Sequence, residues 1–377
     1  MAARVVARGL AAGGAGCPAR DDGWPRRWVG LTTTRDKLSA EELAIVLSHY
    51  DLGVVQEVRE FARGSHRAAK LVLRTDRGRY LLKRRPQGRT DPHRVAFAHE
   101  LQTYLIQKQF PLPHLIGTRE GNHSMVQLGD SVCEVFEFID GQPYDGGLLA
   151  TYQAGKMLGL YHRLVYEYEP KYRPPEGHYH GAPVIRQYLA NLPQRMVSVH
   201  RAPHPESEIE RVCAALGEAY DTAAAAADRL GLPDWEPQIV HSDWHPGNML
   251  FRDGHVVAVI DYDAARVQPR VMDVANGVLQ FSMVTGSRNP DNWPDYTDES
   301  RVKRFLRGYD EINILSVAEL QCVPHLMQEA LIAEAVIPVW NTGRFASLDG
   351  LSFLRMVRRK VAWIAANGPR LAANVDQ

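Results

Sequence analysis

The sequence has few cysteines, no excess of charge of either sign and no long uninterrupted apolar run. Its four cysteines are scattered, without a CxxC pair or a histidine partner at metal-ligand spacing, which favours free thiols in a reducing compartment over a zinc site or a disulfide framework. Lys+Arg and Asp+Glu are 44 each, so the charge balance does not indicate nucleic acid as a partner. The apolar stretch 330–340 is shorter than the roughly 20 residues of a membrane span and contains Glu334 and Pro338. These absences predict a cytoplasmic protein with no nucleic-acid or membrane partner.

The N-terminal segment, residues 1–35, differs in composition from the rest of the chain. It is rich in Ala, Gly and Arg and has no acidic residue before Asp21. It lacks the apolar core of a secretory signal. The composition predicts a disordered tail, although a basic, acid-poor segment also fits a transit peptide.

The apolar period then changes along the chain in a way that predicts two lobes. Ser39 followed by Glu42 is a capping-box pattern at the start of a helix. Between residues 54 and 85, three short runs rich in Val and Leu are separated by turn signals, which predicts three antiparallel strands. A helical period over 93–110 and two further strand-like runs flanking "GD" complete an N-terminal lobe of five strands with one inserted helix.

The connector "IDGQPY" (139–144) is the predicted lobe boundary. We therefore expect an N-terminal lobe over 36–140 and a larger, mainly helical C-terminal lobe over 141–377. The fold class predicted from this order is α+β.

The segment "IVHSDWHPGNMLF" (239–251) places polar residues between two apolar runs that read as strands. His241, Asp243 and Asn248 follow the order H-x-D-x-x-x-x-N, and Asp261 ends the next predicted strand. Phosphoryl transfer uses such a set, because it depends on positioning and charge neutralisation. Asp243 would orient the attacking hydroxyl and act as base, Asn248 and Asp261 would hold Mg2+, and His241 would tie down the loop. The plain alternative is a turn capped by Asx side chains.

The stretch "HSDWHPGNMLF…VVAVIDYDAARVQPRVMDVAN" resembles the catalytic and metal-binding segment of the aminoglycoside phosphotransferase superfamily. That group also contains choline kinases, type II homoserine kinases and a bacterial stress-response Ser/Thr kinase. The family pattern H-G-D-x-H-x-x-N followed by I-D is matched by His241, Asp243, His245, Asn248 and Asp261. The resemblance implies a protein-kinase-like bilobal fold with ATP and Mg2+ as cofactors.

Two residues around the motif also bear on the resemblance. Asp273 matches the family's later aspartate, which braces the catalytic loop rather than reacting. Ser242 departs from the pattern, because glycine is usual there and a serine has a narrower range of backbone angles.

In the N-terminal lobe the resemblance implies a strand lysine that contacts the α- and β-phosphates and a helix glutamate that pairs with it. Lys83 and Glu100 occupy those places. Lys83 is followed by Arg84 and Arg85, so a solvent-exposed strand-end lysine is the alternative. Glu100 is alternatively a surface residue of an amphipathic helix.

The rest of the implied nucleotide site consists of backbone groups. The phosphate-covering loop would contain Gly64 and Ser65, without the glycine-rich fingerprint of protein kinases. The connector that includes Glu137 and Ile139 would offer backbone groups to the adenine base.

Several roles stay open at this level. His245 either faces the γ-phosphate or packs the loop, and Asp263 either assists the metal or caps the following turn. The stretch His178–His180 either lines a substrate pocket or is a surface loop.

The expected activity is ATP-dependent transfer of the γ-phosphate to a hydroxyl of a small metabolite, namely an amino alcohol, a homoserine-like compound or a sugar. The alternative is a protein Ser/Thr kinase of the stress-response type. A catalytically idle nucleotide-binding scaffold is disfavoured, because it has no physical need for Lys83, Asp243, Asn248 and Asp261 together.

Overall fold

The computed structural model describes residues 37–61, 69–85 and 91–373. The described residues form two compact units. The first unit contains 37–61, 69–85 and 115–138, and the second contains 91–114 and 139–373. The expected N-terminal tail lies outside the described residues.

The first unit begins with helix α1, Ala40–Ser48, whose predicted capping box is confirmed. The backbone N–H of Glu42 donates to Ser39 Oγ at 3.1 Å, and the backbone N–H of Ser39 donates to Glu42 Oε2 at 2.8 Å. This reciprocal pair satisfies two N–H groups that the first turn of a helix leaves without partners.

A five-stranded antiparallel sheet follows α1, as the alternating apolar runs predict. Its strands are β1 Val55–Glu60, β2 Lys70–Thr75, β3 Arg79–Arg84, β4 Val126–Leu128 and β5 Ser131–Glu137. They are ordered β1-β2-β3-β5-β4, and every neighbouring pair is antiparallel. One face buries Leu73, Leu82 and Val135 completely against Val46 of α1. Burial of this apolar surface fixes the register, because a slip of one residue would turn these side chains to the other face.

Helix α2, Pro92–Gln107, groups with the second unit rather than with the sheet, which differs from the expected lobe division. Tyr104 Oη donates to the carbonyl oxygen of Leu164 at 2.8 Å, and the Tyr104 and Tyr168 rings stack with centroids 4.4 Å apart. The sequence pattern indicated that this segment is helical, but periodicity alone does not say which neighbour a helix packs on.

The second unit is mainly helical within the described residues. Its longer helices are α3 Leu148–Val165, α4 Pro183–Ser198, α5 Glu206–Arg229, α6 Arg270–Ser282, α7 Glu299–Asp310, α8 Val317–Thr342 and α9 Gly350–Ala373. Helices α3 and α7 approach so closely that a Cβ at Gly155 would overlap the carbonyl oxygen of Phe305. A Cβ at Gly308 would likewise overlap the carbonyl oxygen of Tyr152. Glycine on both helices permits this backbone-to-backbone packing.

Helix α8 is the most apolar long helix. By length and composition it could cross a membrane, and 83% of its most apolar window is buried inside the protein. It packs against α4, α5, α6 and α9, so its apolar side chains are covered by other helices. The described cysteines Cys133, Cys213 and Cys322 are also buried and free.

Short strands interrupt the helices of the second unit and frame one loop. Strand β6, Pro237–Val240, pairs antiparallel with β9, Arg266–Pro269. Strands β7, Met249–Arg252, and β8, His255–Val259, form the predicted hairpin. Strands β10, Arg344–Phe345, and β11, Leu348–Asp349, form a small separate pair. The partner of β6 was not predicted, because β9 is only four residues long and its sequence has no alternating pattern.

Candidate active site

The loop 241–248 is held between β6 and the β7–β8 hairpin, and one carboxylate fixes its entry. Asp273, in the first turn of α6, is fully buried. Its Oδ2 accepts from the backbone N–H of His241 at 2.9 Å, and its Oδ1 accepts from the backbone N–H of Ser242 at 2.9 Å. Both N–H groups of the loop entry are therefore satisfied by one side chain.

Asp273 is itself oriented from the other side by a buried histidine. His162 Nε2 lies 3.3 Å from Asp273 Oδ2, and His162 Nδ1 lies 2.9 Å from Tyr309 Oη. Burial lowers the pKa of His162, although the hydrogen bond to Asp273 opposes that effect. A neutral imidazole that donates to Asp273 and accepts from Tyr309 fits these contacts.

Ser242 adopts a left-handed backbone conformation, with φ 60°. An L-residue with a Cβ is disfavoured there by about 1–2 kcal/mol, which gives a physical reason for the glycine that the family pattern has at this place. The same conformation directs the Ser242 N–H to Asp273. The hydrogen bond from the Ser242 N–H to Asp273 thus stabilises a left-handed conformation that the Cβ of Ser242 disfavours.

The two motif residues Asp243 and Asn248 are in direct contact. Asn248 Nδ2 donates to the Asp243 carbonyl oxygen at 3.0 Å and to its Oδ2 at 2.9 Å. Asn248 is 6% exposed, and within the described ranges its Oδ1 has no hydrogen-bond partner. The amide is therefore anchored through its nitrogen, and its oxygen can accept from or coordinate another group.

His245 lies beside Asp243, and its ring protonation follows from its contacts. The backbone N–H of Gly247 donates to His245 Nδ1 at 2.9 Å, so Nδ1 carries no proton. The proton of the neutral ring is then on Nε2, which lies 3.5 Å from Asp243 Oδ2. His245 thus both caps the short 3-10 turn Pro246–Asn248 and faces the Asp243 carboxylate.

His241 packs in an aromatic cluster. Its ring is fully buried, with centroid distances of 5.0 Å to Tyr262, 5.3 Å to Trp244 and 6.1 Å to Tyr161. Burial lowers the pKa of His241, which favours the neutral ring. Neither ring nitrogen has a hydrogen-bond partner within the described residues.

Asp261 follows β8 in a left-handed conformation, with φ 69°. The residue before it, Ile260, donates its backbone N–H to the carbonyl oxygen of Asn248 at 2.9 Å. This bond extends the hairpin pairing of Met249 with Val259. Asn248 and Asp261 are therefore brought to the same end of the hairpin.

In the first unit, Lys83 pairs with a carboxylate on the neighbouring strand. Lys83 Nζ lies 3.5 Å from Glu134 Oε1, and these residues are cross-strand neighbours on β3 and β5. Arg85 contacts Glu134 Oε2 through Nε and Nη2, both at 3.1 Å. Arg84 points elsewhere, to Ser131 Oγ at 3.0 Å and Glu42 Oε1 at 3.4 Å. The side chains of Lys83 and Arg85 therefore lie on one face of the sheet, and that of Arg84 lies on the other.

Glu100 accepts hydrogen bonds from the backbone of the second unit. Its carboxylate accepts from the backbone N–H of Lys171 at 3.0 Å and from that of Tyr172 at 3.4 Å. Within the first unit, the carboxylate of Glu134 lies beside Lys83, because the neighbouring strand presents an acidic side chain on the lysine's face. The expected pairing of Lys83 with Glu100 stays a prediction.

The remaining nucleotide-site residues are placed as follows. Glu137 ends β5 and is exposed, and Ile139 is half-buried. Within the described residues the backbone N–H of Ile139 has no acceptor. Gly64 and Ser65 lie outside the described residues.

Comparison with known proteins decides the family. Residues 57–320 match the family described as "Phosphotransferase enzyme family". The chain belongs to this family. It is an ATP-dependent kinase with a hydroxyl group as acceptor.

The kinase is similar to several named relatives. It is 24% identical over 310 residues to a homoserine kinase of Granulibacter bethesdensis, a match that covers 81% of this chain and 87% of that protein. It is 22% identical over 258 residues to stress response kinase A of Salmonella choleraesuis, covering 68% of this chain and 70% of that protein. A microcompartment-associated aminopropanol kinase aligns with TM-score 0.64 and 15% identity, covering 87% of this chain and 97% of that chain. The expected kinase-like fold is confirmed by this structural likeness.

Sequence reasoning missed one residue beside the predicted lysine of the first unit and one residue of the second unit. Glu134 was detectable, because an acidic residue in the buried run "VCEVF" needs a cationic partner. Arg266 was not singled out, since its position in an irregular turn sequence carries no periodic signal. Its guanidinium is half-buried, and burial lowers its pKa while the charges of Asp243 and Asp273 oppose that shift.

Proposed function

We propose that this kinase transfers the γ-phosphate of ATP to the hydroxyl of a small amino-acid alcohol of the homoserine type, with Asp243 as the catalytic base. The observation that carries the proposal is the setting of Asp243. Its carboxylate is held by Asn248 Nδ2, and the loop that bears it is fixed through two backbone N–H groups by Asp273. A carboxylate positioned in this way can accept a hydrogen bond from the attacking hydroxyl and take its proton late in transfer.

Asn248 and Asp261 are the proposed Mg2+ ligands. The donor set fits a hard cation, because Asn248 Oδ1 has no hydrogen-bond partner within the described ranges and Asp261 adds a carboxylate at the same end of the hairpin. The described residues contain no cluster of three or more His, Cys, Asp or Glu suited to a metal, so phosphate and water oxygens would have to complete the coordination of Mg2+. When bound, Mg2+ would neutralise charge on the phosphates.

The proposed nucleotide contacts lie on the first unit and the connector. Lys83, whose side chain is 17% exposed, would contact the α- and β-phosphates. Backbone groups of Glu137 and Ile139 would contact the adenine base, and the Ile139 N–H supports this role because no described acceptor occupies it.

The acceptor proposal rests on Arg266. Its Nε donates to the Ala264 carbonyl oxygen at 3.0 Å and its Nη1 to the Gly177 carbonyl oxygen at 3.3 Å. Within the described residues Nη2 has no acceptor. A planar guanidinium that is fixed on two sides and has N–H groups left over suits a carboxylate.

A basic cavity beside Arg266 supports an acceptor with a negative group. The N–H of Val267 donates to the Pro175 carbonyl oxygen at 3.0 Å. Pro175 lines a cavity of about 250 Å³ together with Pro174, His93, Arg94, Arg173 and Glu176. Arg173 pairs with Glu176 at 2.8 Å, so Arg94 and His93 supply the rest of the basic lining. The relative named homoserine kinase, which this chain matches over most of its length, is consistent with such an acceptor.

The first test is ADP formation from Mg-ATP with L-homoserine, 3-amino-1-propanol, choline, a neutral sugar, an aminoglycoside and a generic protein substrate. Stimulation by homoserine above all others is the expected result. If the protein substrate alone is phosphorylated, the acceptor is a Ser or Thr side chain and the amino-acid alcohol proposal fails.

The second test asks whether Arg266 binds the carboxylate of the acceptor. Homoserine and 3-amino-1-propanol differ only by that group. Arg266→Gln should raise KM for homoserine at least about tenfold and leave KM for 3-amino-1-propanol and for ATP nearly unchanged. An equal loss for both acceptors would show that Arg266 only supports the loop.

A further inference from the structure

The connector 139–144 pairs with the β7–β8 hairpin, which lies in the chain between the two proposed Mg2+ ligands, Asn248 and Asp261. The backbone N–H of Gln142 donates to the Phe251 carbonyl oxygen at 2.7 Å, and the backbone N–H of Phe251 donates to the Gln142 carbonyl oxygen at 2.8 Å. This reciprocal pair is an antiparallel bridge. The connector is therefore hydrogen-bonded to β7 as a neighbouring strand would be.

A side-chain contact fixes the connector to β7 at a second point. Arg252, the last residue of β7, donates from Nη2 to the Asp140 carbonyl oxygen at 2.9 Å. Asp140 and Gln142 are the two neighbours of Gly141 in the chain. The backbone is thus attached to β7 immediately before and immediately after Gly141.

Gly141 lies where the connector and β7 approach each other most closely. A Cβ at Gly141 would be 2.6 Å from the Cβ of Leu250 and 3.4 Å from its Cα. Non-bonded carbon atoms prefer a separation of about 3.5–4.0 Å. A change of rotamer cannot relieve the overlap, because the positions of the Leu250 Cα and Cβ are set by the backbone of β7. A larger residue at position 141 would therefore push the connector and β7 apart.

The two segments that meet at Gly141 also carry proposed nucleotide contacts. Ile139, whose backbone N–H is the proposed adenine contact, lies two residues before Gly141. Asn248, a proposed Mg2+ ligand, lies two residues before Leu250. Groups on hydrogen-bonded strands are held more precisely than groups on free loops. The contact between Gly141 and Leu250 can therefore set the spacing between the adenine contact and the metal ligand.

We infer that Gly141 is a positioning residue for nucleotide binding. Because it has no Cβ, the connector can pair with β7, and this pairing fixes the backbone of Ile139 relative to Asn248. The inference rests on the proposed nucleotide contacts of these two residues. Gly141 acts through the connector, and its role depends on the side chain of Leu250 that faces it.

The test measures the affinity of the full-length protein for Mg-AMP-PNP by calorimetry, without any acceptor. Gly141→Ala should weaken binding about tenfold, because the added methyl group displaces the connector from β7. The matched control is Gly159→Ala on α3, where a Cβ would be 2.8 Å from the Tyr309 carbonyl oxygen. This control should bind within about twofold of wild type. Wild-type affinity in Gly141→Ala, or an equal loss in both variants, would overturn the inference.

A double-mutant cycle with Leu250→Gly separates the contact from other effects of the methyl group. Leu250→Gly removes the Cβ that Gly141→Ala would meet, whatever Leu250 itself contributes to binding. Adding Gly141→Ala to Leu250→Gly should therefore cause little further loss of Mg-AMP-PNP affinity. Fully additive losses would contradict the inference.

Arg252→Ala covers the case in which Gly141→Ala does not fold. The Arg252 side chain is exposed, so its removal should leave the protein folded, but the connector loses its bond at the Asp140 carbonyl oxygen. We expect Mg-AMP-PNP affinity to fall about threefold, and wild-type affinity in this variant would refute the inference. A wild type that bound no Mg-AMP-PNP would instead contradict the proposed nucleotide contacts themselves.

Discussion

The loop that carries Asp243 and the strand that carries Lys83 each contact a buried carboxylate, but in different ways. In the loop, Asp273 accepts hydrogen bonds from the backbone of His241 and Ser242. In the sheet, Glu134 contacts the charged side chains of Lys83 and Arg85. The first arrangement fixes the main chain, and the second fixes the ends of flexible side chains.

This difference predicts different responses to substitution. A carboxylate that accepts from backbone N–H groups must keep its acceptor oxygens. The side chains of the residues that it holds can change without loss of these hydrogen bonds. A side-chain ion pair depends on both partners, and removal of one leaves a buried charge. The geometry of the loop should therefore be most sensitive to substitution of Asp273, and the positions of the Lys83 and Arg85 side chains to substitution of Glu134.

Asp273→Asn should cause a larger loss of stability and of kcat than the substitutions of Ser242 and His180. The amide nitrogen would face a backbone N–H in place of an acceptor, so one buried donor of the loop is left unpaired, at a cost of about 2–3 kcal/mol in the free energy of unfolding. We expect kcat to fall by at least about a hundredfold, because a small displacement of Asp243 is costly. Urea unfolding and steady-state kinetics measure the two effects. Wild-type kcat in this variant would show that the brace does not set the loop.

Substitution of Ser242 tests the backbone attachment directly. The Ser242 N–H is held by Asp273, while the left-handed conformation of this residue disfavours any side chain with a Cβ. Ser242→Gly and Ser242→Ala both remove a buried hydroxyl that has no partner within the described residues. Only glycine also relieves the left-handed conformation. Ser242→Gly should therefore be more stable than Ser242→Ala by about 1 kcal/mol in urea unfolding, and equal stabilities would contradict the conformational explanation.

His180 joins the segment 178–181 to helices α5 and α8 through contacts that depend on the charge of its ring. Its Nδ1 lies 2.9 Å from the buried Glu329 of α8, and its Nε2 lies 3.0 Å from Asp228 of α5. Burial disfavours the charged ring, but the bonds to these carboxylates outweigh it and raise the pKa of His180. His178 is the other titratable group facing it from the same segment.

The pH dependence follows from that direction. Because the folded pKa is raised, the stability contributed by protonated His180 is fully present below its unfolded pKa and is lost as pH rises through the folded value. His180→Gln should lower the free energy of unfolding by about 1 kcal/mol near pH 6 and by less near pH 8.5. A difference that grows with pH would have the wrong sign.

The sequence predicted the parts of the structure that depend on local pattern. The five strands follow from alternating apolar runs, and the capping box at Ser39 follows from two residues. The order of His241, Asp243 and Asn248 predicted that they share one loop, and Asn248 does bond to Asp243. These features are encoded within short stretches of chain.

The missed features depend on contacts between distant residues. Glu134 and Lys83 are 51 positions apart in the sequence and meet only because β5 is inserted beside β3. The grouping of α2 depends on Tyr104 reaching the end of α3. The segment Arg266–Pro269 gained its strand conformation from pairing with β6 and not from its own propensity.

The measurement that tests the central claim most directly is turnover of Asp243→Asn in the presence of Mg-ATP and the acceptor that best stimulates wild type. Asparagine keeps the size of the side chain but cannot take a proton. We predict a loss in kcat of at least about a thousandfold with Mg-AMP-PNP affinity essentially unchanged. A variant that retained a tenth or more of wild-type kcat would show that Asp243 is not the catalytic base.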